Sequence, residues 1–576
     1  YQQHGDEWRV DHAWGDGGLY DYRFEYQDLL RERRITDSLG HVALIKLNED
    51  GLPINELDPL GGMTLFEYDE CGRTCAVVDP TGRRTEYHYD ARGNLVRLIR
   101  PDGRALVSAF DHDDKPVSIA DALGECWQQR FDARGQLIEQ RSPLGHVSRY
   151  DYDAAGQLCA YTNPRGALTR LDYDAAGHLV QLTDALGHTT RFAHDALGSL
   201  VGKIDALAQR TSYQYDAKGR LTEVTLPSGS RVRCGYDGED NLTDYVDENG
   251  VRTRLAYAGL GELTRRLQPD GHTVEYLYDT EERLIGVRNQ RGELYQLKRD
   301  ALGRVVEEVD YWGQSRRYGY GGSGHLLWSE DPLHRRIDYV CDPLGRILRK
   351  AFVDERAALL GQDGPAVATP TAATTPPLFV ETFAYDANGN LTETANPHVK
   401  VTRQFDADGR MIEEVQAHTH GESFTVRNRY DAAGNRTQRQ TESSAGPGHR
   451  VEYGFDLLDQ STEVRINGGA PIRAQRDALG QITDEQLAPG LTRQCRYDAD
   501  GRMLEQSLSR DGQSLFATHC DYDRAGNLTQ RSDSQFGIDR YVYDPMGRIL
   551  AHTDPQGQIE RFFNDPAGDR LITRIE

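Results

Sequence analysis

The residues in this chain with the means to do chemistry are histidines and carboxylates. His418-Thr-His420, with Glu422 close by, has the alternate spacing by which one strand offers two imidazoles to a metal, but no third ligand follows. Five further histidines (His146, His178, His188, His272 and His325) each stand directly after a glycine. Aspartates recur densely enough to suggest paired general acids and bases. Against an enzyme, there is no Gly-x-Ser-x-Gly elbow, no glycine-rich phosphate loop and no His-Glu-x-x-His. Cys71 and Cys75 lie four apart without a second pair at zinc-finger spacing, so reduced, structural cysteines are expected. The aromatic segment Trp8–Trp14 is read as strand or cap packing.

The elements that carry these residues repeat. Aromatic positions recur every 21 residues: Tyr68, Tyr89, Phe110, Phe131, Tyr152 and Tyr173, then His194, Tyr215, Tyr236, Tyr257 and Tyr278. The phase continues through Arg299, Tyr320 and Cys341, and returns more loosely from Tyr385 to Tyr543. Such a period marks a repeat architecture. Each unit holds two turns of one kind. The first is Tyr-Asp-x-x-Gly, as in Tyr89-Asp90…Gly93, Tyr152-Asp153…Gly156, Tyr173-Asp174…Gly177, Tyr215-Asp216…Gly219 and Tyr543-Asp544…Gly547. The second is typified by Pro101-Asp-Gly103. Asp caps such a turn, Pro presets φ, and Gly takes the left-handed position that closes a type I turn with a bulge. Repeat membership thus accounts for the aspartates and the Gly-His pairs as construction.

Successive turn aspartates, 174, 184 and 195, are 10 and 11 residues apart, which leaves one strand of about six residues per half-step. Val232, Cys234 and Tyr236 share one face, as do Val274, Tyr276 and Tyr278, with charges on the other: the period-two signal of a strand. The expected fold is all-β, an antiparallel meander of about 50 strands. Open twisted sheets rarely exceed about ten strands without curling, so the strip should roll into a hollow shell. Closed in one turn, it would measure on the order of 75 Å across. Residues 1–25 are expected as entry strands, 26–353 as regular repeats, 354–377 as an Ala/Thr/Pro-rich inserted loop and 378–576 as less regular repeats of one continuous shell. The chain opens on Tyr-Gln-Gln without an initiator Met and is already in phase at Tyr26 and Leu47, which suggests an internal piece of a longer protein.

The formal charge of −24, from 91 acidic against 67 basic side chains, argues against a nucleic-acid binder, since no basic stripe is evident to displace counterions. No apolar run is long enough to span a bilayer as a helix. No metal, cofactor or catalytic residue is assigned.

The unit Tyr89-Asp90-Ala91-Arg92-Gly93-Asn94-Leu95…Pro101-Asp102-Gly103 resembles YD-repeat proteins over nearly the whole chain. These include bacterial Rhs proteins, the C components of insecticidal toxin complexes and animal teneurins. Asp-Ala-Leu-Gly units at 184–187, 195–198, 300–303 and 477–480 look most like Rhs effectors. The resemblance implies a spiral cocoon, itself no enzyme, around a C-terminal toxin of the same precursor. It further implies bacterial synthesis, delivery often by a type VI secretion spike, and partners in a PAAR region, a chaperone and an immunity protein. A self-cleaving aspartyl-protease-like region would lie downstream, and none of its residues maps onto this chain. A teneurin-like extracellular adhesion or glycan-binding module, or an insecticidal toxin-complex cocoon component, is the alternative.

Overall fold

The computed structural model describes residues 2–4, 7–354 and 377–576. The insertion expected at 354–377 therefore lies outside the described residues except at its two ends. Among the described residues one short 3-10 turn at Asp16–Gly18 accompanies elements that are otherwise all strands. Gln2–His4 and Glu7–Arg9 make a separate hairpin, and the 51 strands from His12–Ala13 to Arg570–Ile575 form a single antiparallel sheet.

The unit is built from its turns. At Asp90 the Gly93 N–H donates to the Asp90 carbonyl (3.1 Å) and the Asp90 N–H to the Asn94 carbonyl (3.0 Å). Gly93 has φ +97°, the left-handed conformation that a side chain resists. The Asp90 carboxylate accepts the N–H groups of Arg92 and Asn94, each at 2.9 Å, so the aspartate stands in for a missing backbone partner. Asp174, Asp216 and Asp544 accept the same two N–H groups in their own turns. At the second turn, which links one unit to the next, Gly103 has φ +77° and its N–H donates to the Arg100 carbonyl.

The tyrosine does a different job. The ladder between Thr74–Val78 and Arg84–Tyr89 runs from Arg84↔Val78 to Glu86↔Ala76 and stops there. Beyond it the strands diverge, because a bulge at Tyr89 turns the second strand toward its next partner. That leaves the Thr74 carbonyl without a ladder partner, and the Tyr89 hydroxyl donates to it at 3.0 Å. Tyr152, Tyr173, Tyr215 and Tyr543 bridge the same fifteen-residue gap, to Leu137, Leu158, Leu200 and Leu528.

Among the described residues this sheet has no second layer to pack on, and those that are buried and apolar are small: Ala76, Ala167, Ala351, Val353, Cys495 and Ala551. The accessible surface is 33432 Å² for 64.8 kDa, where a filled globule of that mass would expose about 20,500 Å². The excess is what a wall with two wetted faces requires.

The sheet coils more than twice. The turn at 37–40 meets the turn at 279–282, 142–145 meets 406–409, and 289–292 meets 565–568. Each pair is separated by 23 strands. Register gives the lean of the wall. Tyr87 faces Leu98 and Leu98 faces Leu106, yet the residue equivalent to Leu106 one unit earlier is Thr85. A slip of two residues for every two strands tilts them by about 35°, inside the range of barrels. At that tilt 23 strands make a contour of ~130 Å, so the shell is ~40 Å across from backbone to backbone. The one-turn diameter of 75 Å is replaced by a narrower, taller coil.

Candidate functional site: lumen face and seam

Two faces follow from the register. One carries the repeat tyrosines with Tyr87, Leu98, Leu106, Tyr150, Tyr161 and their equivalents. The other carries Arg84, His88 and Arg97. Seen from the tyrosine face with the Tyr-Asp turns downward, the chain advances to the right and the strands lean to the left. Right-handed strand twist makes that the view from inside a barrel. Burial agrees: Thr85, Tyr87 and Tyr89 are half-buried while Arg84 and His88 are exposed. The tyrosine face lines the lumen.

The lining changes along the spiral. Over the first coil the central row runs through Leu98, Leu106, Ile119, Trp127, Tyr150 and Tyr161, and the one charge between Tyr87 and Leu255 is Lys203. In the second coil the row holds ion pairs. Arg403 meets Glu414 at 2.8 Å, and Asp539 takes Arg531 at 3.0 Å and His552 at 2.9 Å. The Asp539 hydrogen bond holds His552 above its ordinary pKa. A hydrogen bond from Tyr295 to Glu308 (2.6 Å), with burial, pushes that phenol up to about 12. The lining is aromatic first and charge-paired later.

The seam joins linker turns of the first coil to Tyr-Asp turns of the second through polar contacts. Asp408 accepts Ser142 Oγ (3.1 Å) and the Leu144 N–H (3.3 Å), and pairs with His146 Nδ1 (2.9 Å). Arg165 reaches the carbonyls of Asp456 (2.7 Å) and Phe455 (3.1 Å) and the carboxylates of Asp459 (2.7 Å) and Asp431 (3.3 Å). Asn249 holds Asp523 at 3.0 Å, Arg548 holds Asp270 at 3.1 Å, and Arg291 holds Asp565 at 2.5 Å. Burial pushes Asp565 up, but the Asp569 N–H and the Arg291 guanidinium outweigh it and leave that carboxyl below its ordinary value.

The sequence-singled residues fall as follows. Tyr89, Tyr152, Tyr173, Tyr215 and Tyr543 close their strand gaps. Asp90, Asp153, Asp174, Asp216 and Asp544 cap their turns, with Gly93, Gly103, Gly156, Gly177, Gly219 and Gly547 at positive φ and Pro101 inside the linker turn at 100–103. His178 and His188 bond their own turn aspartates at 3.1 and 3.0 Å, whereas His146 crosses the seam. His418 ends a strand against Phe424 and His420 sits in the exposed turn after it, so they do not converge on a metal. Trp8 lies in the strand Glu7–Arg9, Trp8 and Trp14 are 68% and 65% exposed, and Trp14 stacks on His12 (4.2 Å). All eight cysteines are free.

Sequence reasoning missed the residue after the turn glycine. Arg220 donates from Nε to Asp216 (2.7 Å), stacks over Tyr236 (4.9 Å) and donates to the Asp237 carbonyl (2.8 Å), tying one Tyr-Asp turn to the next. Arg304, Arg410 and Arg502 repeat this, and the recurring Asp-x-x-Gly-Arg was there to be read.

The described strands form a single-layer spiral of Tyr-Asp hairpins around a lumen. The chain is similar to Rhs and YD-repeat proteins over part of its length. The Teneurin YD-shell family matches residues 62–195, and the RHS Repeat family matches 197–231 and 522–559. Over 181 residues the chain is 29% identical to the toxin protein Tse5 of Pseudomonas aeruginosa, covering 29% of this chain and 13% of Tse5. The crystal structure of TcdB2-TccC3-Cdc42 matches 96% of this chain with a TM-score of 0.61 at 12% identity, and that of TcdB2-TccC3-TEV matches 96% with 0.59 at 14%. The chain spans 36% and 35% of those two chains. At such identity the likeness shows the fold.

Proposed function

We propose that this chain is the shell segment of an Rhs-type toxin and acts by enclosure: it surrounds a C-terminal toxin of the same precursor until delivery to a target cell. The observation that carries this reading is the wide lumen enclosed by the described strands. After two side-chain layers are subtracted, roughly 30 Å remains, comparable with the ~34 Å diameter of a 100-residue domain. Similarity to a protein described as a toxin supports the class. Synthesis in a bacterial cytoplasm, release through a type VI spike with a PAAR region and chaperone, and an immunity protein belong to the same reading. So does the division into entry strands, regular repeats, inserted loop and later repeats. Eight unpaired cysteines weigh against the adhesion-module alternative.

The test uses the natural precursor. Limited proteolysis should leave the C-terminal domain intact while the shell holds, and digest it once seam variants open the coil. A C-terminal domain cleaved equally fast with the seam intact would end the enclosure reading. Secretion assays with and without the spike decide the route.

A further inference from the structure

On the outer face the 21-residue period assembles something that composition conceals. The third position of successive descending strands is Arg149, Arg170, Arg191, Ser212, Arg233 and Arg254, between Gln128 before the row and Glu275 after it. Every arginine of this row is exposed. Across the ladder on one side they face Thr162, Thr183, Ile204, Val246 and Leu267, so that side supplies no neutralising charge. Carboxylates on the other side are outnumbered. Glu139 is shared by Arg130, Arg141 and Arg149 at 3.4 to 3.6 Å, Glu223 by Arg231 and Arg233, and Asp244 by Arg252 and Arg254. Arg170 has Ala160 and Thr183 as its ladder neighbours, and Arg191 donates to Gln181. A guanidinium belt about 60 Å long, measured along the leaning wall, thus crosses ten strand spacings of a chain whose net charge is −24.

In the second coil the equivalent position is interrupted by Asp338, Thr382, Thr402, Glu452 and Gln494, and Arg317 and Arg427 each meet two carboxylates, Glu307 with Glu330 and Glu413 with Glu442. The belt is therefore a local feature and not a property of the repeat.

We propose that this belt on the first coil docks an acidic polypeptide surface of a partner protein. Guanidinium forks match carboxylates in pairs, and isolated carboxylates on a polypeptide can sit between the belt's own acids. A nucleic-acid duplex fits worse. The belt is one residue position wide along each strand and is edged by turn aspartates, including Asp153, Asp174 and Asp195, which a continuous row of phosphates would overlie. A flat anionic membrane would touch a convex wall of this radius only along a narrow line. The inference stands apart from enclosure, since it concerns the outside of the wall.

The test measures binding of a short labelled polyglutamate peptide to the whole chain at low and near-physiological salt, with duplex DNA and phosphatidylserine vesicles in parallel. Arg149→Glu, Arg170→Glu and Arg191→Glu combined should weaken peptide binding by about tenfold or more, and salt should weaken it likewise. The matched Lys set should retain binding. Reversing three second-coil arginines (Arg427, Arg473 and Arg540) alters net charge equally and should change little. Absence of peptide binding at low salt, equal loss with the second-coil set, or tighter binding of DNA or vesicles would each overturn the proposal.

Discussion

Arg299 donates from Nη2 to the carbonyl of Leu284 at 2.8 Å, fifteen residues back. Tyr278 and Tyr320 in the adjoining units span the same gap with their hydroxyls, to Leu263 and Val305. Arg476 does so again to Ser461 at 3.2 Å. The repeat therefore needs a long donor at this position to satisfy the carbonyl stranded where the ladder ends; tyrosine is its usual form.

Removing that donor should be measurable one unit at a time. Tyr173→Phe keeps the ring and deletes the bond to Leu158, leaving a half-buried carbonyl unsatisfied at a cost of about 1 kcal/mol. Repeat arrays can unfold in pieces, so local hydrogen exchange around 158–173 is the appropriate probe. Arg299→Tyr should be near neutral and Arg299→Ala should resemble Tyr173→Phe or worse. An unchanged exchange rate in Tyr173→Phe would remove the hydroxyl from the account.

The same logic identifies a weak unit. His194 occupies the tyrosine position, its buried Nδ1 has no hydrogen-bond partner, and its ring lies on His178 at 5.1 Å. His194→Tyr restores a donor in reach of the Leu179 carbonyl. It should stabilise that hairpin by about 1 kcal/mol, seen as slower exchange over 179–194.

Turn glycines are held by two constraints. A Cβ on Gly345, at φ +83°, would meet the His325 ring, which packs beneath it from the preceding unit; at Gly93, φ +97°, the neighbour is Arg73 Nη1 at 3.3 Å. Gly93→Val should destabilise locally by ~1–2 kcal/mol from backbone strain. Gly345→Ala should also displace the His325 ring, detectable as a changed imidazole NMR shift. Gly103→Ala has no such neighbour and should show strain alone.

The fold was legible because each unit states it three times over: the aspartate that caps, the glycine that turns left-handed, and the alternating strand between. The number of coils was not. It depends on a two-residue slip of register per unit, set by bulges at residues such as Tyr89 whose pairing no single unit reveals. For the same reason His146, read as one Gly-His pair among five, proved to be a seam residue, because its partner Asp408 lies 262 residues away. The outer arginine row was printed at a fixed spacing, yet the excess of acids hid it. Turn aspartates and strand arginines separate only when the sheet is folded.

Stability should fall at both ends of the pH scale for different reasons. Asn94 holds the Asp90 carboxyl below its ordinary value, the His178 N–H does so for Asp174, and Arg220 for Asp216. A depressed folded pKa gives stability that is present above the ordinary carboxylate range and is lost as pH falls below about 4. Burial raises the phenols of Tyr173, Tyr215 and Tyr543. Their contribution is complete below about pH 10 and is lost as pH climbs through the raised folded values, because the unfolded chain ionises first. Denaturation midpoints across pH should therefore form a plateau with two shoulders; a midpoint that rose above pH 10 would contradict the assignment of the hydroxyls as buried donors.

The seam makes the sharpest mechanical prediction. Arg165 is about a fifth exposed and serves two backbone carbonyls and two carboxylates of the next coil, whereas its own hairpin uses only its backbone. Arg165→Glu should place a carboxylate against Asp431 and Asp459 and cost about 2–3 kcal/mol of coil-to-coil attraction. Combined with Asp408→Lys, which removes the acceptor for Ser142, Leu144 and His146, it should part the coils while each hairpin ladder stays paired. Far-ultraviolet circular dichroism would then be unchanged, the radius of gyration from small-angle scattering would increase, and proteases would gain access to the lumen-facing strands at 158–173. If the radius stayed constant, cohesion would reside in the continuity of the sheet and not in the seam.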